Sequence, residues 1–350
     1  MAAAISRTIE VEFPPAHDAK IIPDALPTLS EQRRQASLND EAFEVANFAD
    51  TVEQQPESVQ RAETVLYLAY GSNLCEETFR GRRGIKPLSQ INVVVPEVVL
   101  TFDLPGLPYA EPCFANVRYR NQPAVATVTK EKTFERTPLL GLSQGSTDYH
   151  KDRWKKGLVG VVYEVSRKDY ATIIRTEGGG ASYQDIVVDC YPLPDADSVP
   201  EHPDTAVFRA HTLYAPSNLP SQADSNAKTT ARFHRPDPSY AQASPRYMKL
   251  LTDGADQHHL PLEYKTYLHN IRAFRVTTLR QKIGKKIFAG FWVPIVFGVF
   301  GLERRFSDKS GRAPKWLRKL NTAVFRVVWA SYDWVFKPVF GEGERTTGDA

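Results

Sequence analysis

The chain has 350 residues, enough for one large domain or two ordinary ones, with 42% hydrophobic and 24% charged residues, the composition of a globular protein. A net charge of +3 is too small for general nucleic-acid binding. The three cysteines, Cys75, Cys113 and Cys190, are odd in number and widely spaced with no CxxC pair, which excludes a disulfide framework or a cysteine zinc site and fits a reducing compartment.

Residues 1 to about 60 carry Pro14-Pro15, Pro23 and Pro27 and then a polar stretch, with weak apolar periodicity. They read as a mostly disordered arm, with a helical turn or two over Glu41–Val52. Met1–Arg7 lacks a basic segment followed by an apolar run, so no secretory leader is apparent and the bulk of the chain is expected in the cytoplasm.

From Thr64 to Tyr70 the residues are β-branched, aromatic or apolar, a buried strand that stops at Gly71-Ser72-Asn73. A helix-compatible run, Cys75–Arg80, follows at once. Such a junction leaves backbone N–H groups unpaired and aimed one way, a cradle for a carboxylate, a phosphate or an oxyanion; the alternative is a plain strand-to-helix turn. Cys75 reads as a small packing residue before it reads as a nucleophile.

Ile91–Phe102 is expected as one long strand, with Pro96 marking an edge or bulge. Phe114–Tyr119 and Ala124–Val128 are short strands, and Lys130–Trp154 is an elaborated surface loop. Leu158–Val165 is a buried strand. Ser166 caps a helix with Asp169 three residues on, and Tyr170, Ile173 and Ile174 form its apolar face before Gly178. Tyr183–Tyr191 and Ala206–Tyr214 are strands, and the rest of the Pro/Ser/Asp-rich stretch 195–244 is an insertion. Helices are expected from Pro245 and over Pro261–Ala273.

Glu177 ends the helix that begins at Ser166, just ahead of Gly178-Gly179-Gly180 and near Tyr183. A carboxylate there opposes the helix dipole, the placement wanted for a base working near neutrality. A solvated Glu before a glycine cap is the simpler alternative. The eight histidines show no ligand spacing, His258-His259 is read as a solvated pair, and no GxGxxG or GKS/T pattern occurs, so neither a metal nor another cofactor is expected.

Tyr70-Gly71-Ser72-Asn73-Leu74 resembles the substrate loop of the gamma-glutamylcyclotransferase family. Gly157–Tyr163, a helix, Glu177-Gly178 and Tyr183 resemble the family's layout around its catalytic Glu. Pro245–Leu251, Gly254-Ala255, Leu260-Pro261, Tyr264 and Tyr267-Leu268 look like its closing helices. The resemblance covers about 62–272, with longer loops here at 130–156 and 196–243. It implies an α+β fold, a gamma-glutamylcyclotransferase-like mixed β-barrel with flanking helices over 61–275. It also implies a lyase that needs no cofactor and turns a γ-glutamyl amide into 5-oxoproline and a free amine. Glu177 would be the general acid/base, and Tyr70, Gly71, Ser72, Asn73, Leu74 and Tyr183 would bind or position the substrate. The alternatives are a non-catalytic scaffold of the same fold and a cyclotransferase acting on glutathione conjugates of a secondary metabolite.

Ile287–Leu302 is sixteen residues without a charge, about 24 Å as a helix and short of a hydrocarbon core of about 30 Å. Basic residues flank it on both sides, which disfavours a single crossing and suits a re-entrant hairpin or a surface-lying segment. Trp316–Phe340 is amphipathic, and four of the five tryptophans lie beyond residue 291. Residues 280–345 therefore read as an apolar, helical C-terminal extension that meets a membrane surface through 287–340, on its cytosolic face; packing onto the enzyme domain or a dimer contact is the alternative.

Overall fold

A computed structural model describes residues 26–120, 154–177, 183–216, 235, 240–306 and 314–347. The expected strand at Ala124–Val128, Gly178–Gly180 and much of both long insertions lie outside the described residues.

The strands are β1 (Thr64–Ala69), β2 (Ser89–Val95), β3 (Val98–Leu107), β4 (Glu111–Tyr119), β5 (Leu158–Ser166), β6 (Gln184–Pro192) and β7 (Phe208–Tyr214). The main sheet runs β1-β5-β2-β6-β7. β5 is antiparallel to both β1 and β2, with Tyr67 opposite Tyr163 and Val93 opposite Gly160. β7 then returns to β1 in parallel through one register pair, Tyr67 and His211, reinforced by Thr212 Oγ1 donating to the Leu68 carbonyl at 3.0 Å. The expected mixed barrel is thus met as a mixed sheet rolled round on itself, its last seam too thin to be a ladder closed along its length. β5 is paired along both edges, by β1 and β2, and is buried almost throughout, which is why it reads as an apolar run rather than an alternating one.

Ile91–Phe102 is two strands, not one. The chain turns at Pro96-Glu97, where proline supplies no N–H to a ladder, and β3 goes on to form a separate hairpin with β4.

The helices are α1 (Glu31–Ala36), α2 (Val45–Gln54), α3 (Glu57–Ala62), α4 (Arg167–Thr176), α5 (Pro245–Gln257), α6 (Leu262–Asn270), α7 (Leu279–Phe306), α8 (Lys315–Ser331) and α9 (Lys337–Phe340). The Ser166 hydroxyl accepts the Asp169 N–H at 3.1 Å and Ser244 accepts that of Tyr247 at 3.0 Å, so α4 and α5 start where the capping signals place them. Residues 26–62 depart from the expected mobile arm. Leu29, Val45, Phe48 and Val52 are buried in the main core, and Phe43 stacks on His211 at 4.4 Å. Asp185, itself buried, accepts the Phe43 N–H at 2.7 Å and the Tyr170 hydroxyl at 2.5 Å, with His211 Nδ1 at 2.8 Å. Sparse apolar residues suffice here because they meet a face already built by α4 and the sheet.

Ile287–Leu302 does not fold back on itself as a hairpin: it lies within α7, a continuous helix that includes Pro294.

Candidate active site

β1 delivers the chain to its end at Ala69, and Ser72–Leu74 form a single 3₁₀ turn. The Leu74 and Cys75 N–H groups close that turn on the carbonyls of Gly71 and Ser72, at 3.0 and 3.2 Å. Among the described residues, the N–H groups of Gly71, Ser72 and Asn73 make no hydrogen bond. Three successive unpaired amides thus follow the end of a buried strand, the kind of donors an anion cradle requires.

Glu177 caps the C-terminus of α4, its N–H bonded to the Ile173 carbonyl at 3.0 Å. Its carboxylate reaches the turn: Asn73 Nδ2 donates to Oε1 at 3.0 Å and to the Tyr67 hydroxyl oxygen at 2.8 Å. Two segments over a hundred residues apart in sequence therefore meet at one point. Arg83 Nη2 lies 2.6 Å from the same Oε1, and the Arg83 guanidinium also donates to Thr176 Oγ1. Negative charge at this helix end is answered by a guanidinium rather than left against the dipole. Both donors land on Oε1. Among the described residues, Oε2 makes no hydrogen bond, and the buried Asn73 Oδ1 has no partner either.

Four phenols surround this pair. Tyr67 is buried, and burial, then the Glu177 carboxylate, pushes its hydroxyl well above the usual range. Burial above all, with Glu177 adding, does the same at Tyr247. Tyr70 is raised by burial and then by Tyr183, which also acts on Tyr67 and Tyr247 and so belongs to the cluster. All three raised phenols stay neutral near pH 7, leaving Glu177 and Arg83 as the site's ion pair.

Two expected contacts need correction. Tyr70 donates its hydroxyl to the Leu213 carbonyl at 2.8 Å, so that oxygen is left only to accept. Leu74 is fully buried; its N–H closes the turn and its carbonyl lies 3.0 Å from His258 Nε2, so it braces the loop from below instead of binding substrate. His258 is not a solvated linker residue: it is buried, with Nε2 2.7 Å from the Tyr163 hydroxyl, and burial lowers it to about 4. Cys75 is buried and free, as a packing residue.

Helix α5 presses on the turn. A Cβ at Gly254 would sit 2.5 Å from the Leu74 carbonyl carbon, and a Cβ at Gly71 would sit 3.3 Å from the Tyr247 hydroxyl. Glycine at both positions lets helix and turn touch. Tyr247 in turn accepts the Ala115 N–H at 3.1 Å, tying α5 to β4. Tyr67 lies within the buried strand run and Tyr247 within the Pro245–Leu251 helix, so their spacing alone marks both as packing residues, and Arg83 belongs to no motif. Arg83 follows the turn by only ten residues, and its position after the helical run was the one available signal.

The AclK C-terminal domain family matches residues 278–339. Gamma-glutamyl cyclotransferase gliK of Aspergillus fumigatus is 30% identical over 284 residues, covering 80% of this chain and 89% of that protein. Gamma-glutamyl cyclotransferase aclK of Aspergillus oryzae is 26% identical over 290 residues, covering 81% of this chain and 91% of that protein. A solved structure titled gamma-glutamyl cyclotransferase, 17% identical, covers 64% of this chain and 99% of its own at a TM-score of 0.38.

Proposed function

Because this chain belongs to the gamma-glutamyl cyclotransferase family, we propose that it cyclises a γ-glutamyl amide to 5-oxoproline and releases the amine. The observation that carries this reading is the meeting of the Glu177 carboxylate with Asn73 beside the open amides of Gly71, Ser72 and Asn73.

The substrate brings its own nucleophile. Its α-ammonium docks on Glu177 Oε2, with Asn73 Oδ1 as a second acceptor, and gives one proton to the carboxylate. The freed amine attacks the γ-carbonyl carbon; the new N–C bond closes a five-membered ring, and charge builds on the former carbonyl oxygen. The amides at 71–73 stabilise that oxygen. The amide C–N bond then breaks as Glu177 returns the proton to the departing nitrogen; the ring nitrogen, which still carries two hydrogens, gives up its second proton through Glu177 to the released amine, which leaves as an ammonium. Atoms and charge balance without a further reactant. Arg83 and Asn73 fix Oε1 so that Oε2 points at the amine, while the neutral phenols of Tyr67 and Tyr247 shield the site. Holding amine and carbonyl in a ring-closing geometry can supply roughly 7–11 kcal/mol of the barrier.

The test is a panel of γ-glutamyl dipeptides, glutathione and S-conjugated glutathione incubated with the full chain, with 5-oxoproline measured by mass spectrometry. At least one member should yield 5-oxoproline and amine in equal amounts. A panel that yields none, or amine with free glutamate in place of the lactam, contradicts the proposal.

A further inference from the structure

Charge is distributed unevenly along this chain. Between residues 278 and 340 stand thirteen lysines and arginines against three aspartates and glutamates, a balance of +10; with +3 for the whole, the remainder carries −7. The basic part is the helical extension. α7 and α8 run antiparallel: Phe288, Trp292 and Val296 pack on Val328, Trp329 and Tyr332, Trp292 Nε1 donates to Ser331 Oγ at 2.9 Å, and Asn321 Nδ2 donates to Glu303 Oε1 at 2.8 Å.

The extension is fixed to the enzyme domain. Arg235 pairs with Asp333 and Glu344, both at 2.6 Å, and lies 4.2 Å from the Trp329 ring centroid. Tyr109, in the β3–β4 turn, bonds to the Gly341 and Gly343 carbonyls at 2.7 and 2.8 Å. The hairpin is therefore a built face and not a loose tail.

Its outer surface is apolar and aromatic. Leu279, Ile283, Ile287, Phe291 and Ile295 recur every fourth residue of α7 and are all exposed; Trp334 is 83% exposed and Trp316 53%. Lys282 and Lys286, beside this stripe on α7, and Lys319 and Arg326, on α8, are exposed, and among the described residues none of the four pairs with a carboxylate. Apolar side chains, exposed tryptophans and uncompensated cations on one helical hairpin match the chemistry of an anionic lipid surface.

We propose that the α7–α8 hairpin docks this protein on an anionic bilayer, lying in the headgroup plane. Length alone would let α7 cross: Leu279–Glu303 is apolar enough to span. Its partner forbids it. α8 lies against the apolar centre of α7 and carries Arg326 on its exposed surface between the Asn321–Glu303 and Ser331–Trp292 contacts, so crossing would take that cation into hydrocarbon. A second copy is a poor occupant, since it would bring one +10 surface against another.

Co-sedimentation of the full-length protein with vesicles decides the matter, using phosphatidylcholine alone and phosphatidylcholine with 30% phosphatidylserine. Binding to the mixed vesicles, weak binding to the neutral ones, and release at 0.5 M salt are expected. Lys282→Gln/Lys286→Gln/Lys319→Gln/Arg326→Gln should weaken the apparent affinity by about 600-fold, at roughly fivefold per cation. Phe291→Ser/Trp334→Ser should weaken it at unchanged charge. Thermal unfolding by circular dichroism must be preserved in each variant compared; if one loses its fold, Lys282→Gln/Lys286→Gln alone carries the charge test. Equal binding to both vesicle types, no binding to either, or retention after alkaline carbonate extraction overturns the proposal. So does a dimer that Phe291→Ser dissociates while vesicles are ignored.

Discussion

Replacing Gly254 by alanine sets two effects of opposite sign against each other. In a helix interior the change normally stabilises by about 1 kcal/mol, through the lower backbone entropy of alanine. Here the added Cβ would lie 2.5 Å from both the carbonyl carbon and the Cβ of Leu74, and 2.7 Å from the Cys75 nitrogen. Carbon atoms rest at about 3.5–4.0 Å, so α5 or the turn has to retreat by about 1 Å. Overpacking of this kind costs about 1–3 kcal/mol, leaving a net loss of up to about 2 kcal/mol. Activity should be the more sensitive readout, because the turn that moves carries Asn73, and a 1 Å displacement can lower turnover on the order of 10²-fold. Urea unfolding and 5-oxoproline release measure the two arms. Gly290→Ala is the control: it also lies in a helix, but nothing stands within 4 Å of its Cβ, so it should stabilise slightly and leave turnover alone. If Gly254→Ala behaves like Gly290→Ala in both assays, the contact between α5 and the turn does not hold the site.

Other substitutions probe the remaining supports. Asn73→Ala removes the donor shared by Tyr67 and Glu177 and should lower kcat/KM by about 10–100-fold, the equivalent of about 1–3 kcal/mol, measured as initial rates of 5-oxoproline release. His258 is held neutral in the fold at about 4, against an ordinary 6.5. A lowered histidine means that the unfolded chain binds the extra proton first, so stability is complete above about pH 6.5 and falls between pH 6.5 and 4, by up to about 3 kcal/mol. His258→Gln should flatten that part of the urea-unfolding profile relative to the parent. Asp185→Leu strips partners from the Phe43 N–H, the Tyr170 hydroxyl and His211 at once and should destabilise by about 3–5 kcal/mol, with early proteolysis of residues 26–62 as the accompanying sign.

What could be read from the chain was local. The end of β1, the Ser166 and Ser244 caps and the helix ending at Glu177 announce themselves within a few residues, and their order matches a family layout. What could not be read depends on distant partners. Arg83 becomes part of the site only because the end of α4 comes to lie beside it. Tyr247 joins through glycines at 71 and 254 whose purpose shows only when α5 is in place. The N-terminal segment looks too polar to fold alone, and its few apolar residues matter because Asp185, His211 and Tyr170 offer them a finished surface. His258 sits in a polar stretch, yet the Leu74 carbonyl and the Tyr163 hydroxyl draw it inside. Pro96 signals a break, but only the separate pairing of β3 with β4 distinguishes a turn from a bulge.

Glu177→Gln keeps the side chain's size and hydrogen-bonding reach while removing its ability to take a proton, and so asks the central question most directly. The rate of 5-oxoproline formation from a γ-glutamyl substrate should fall by at least a hundredfold, on the order of a general acid/base contribution, with the unfolding curve nearly unchanged. Near-parental turnover in that folded variant would mean that the proton passes through some other group, and the site built on Glu177 and the 71–73 turn would not be where ring closure happens.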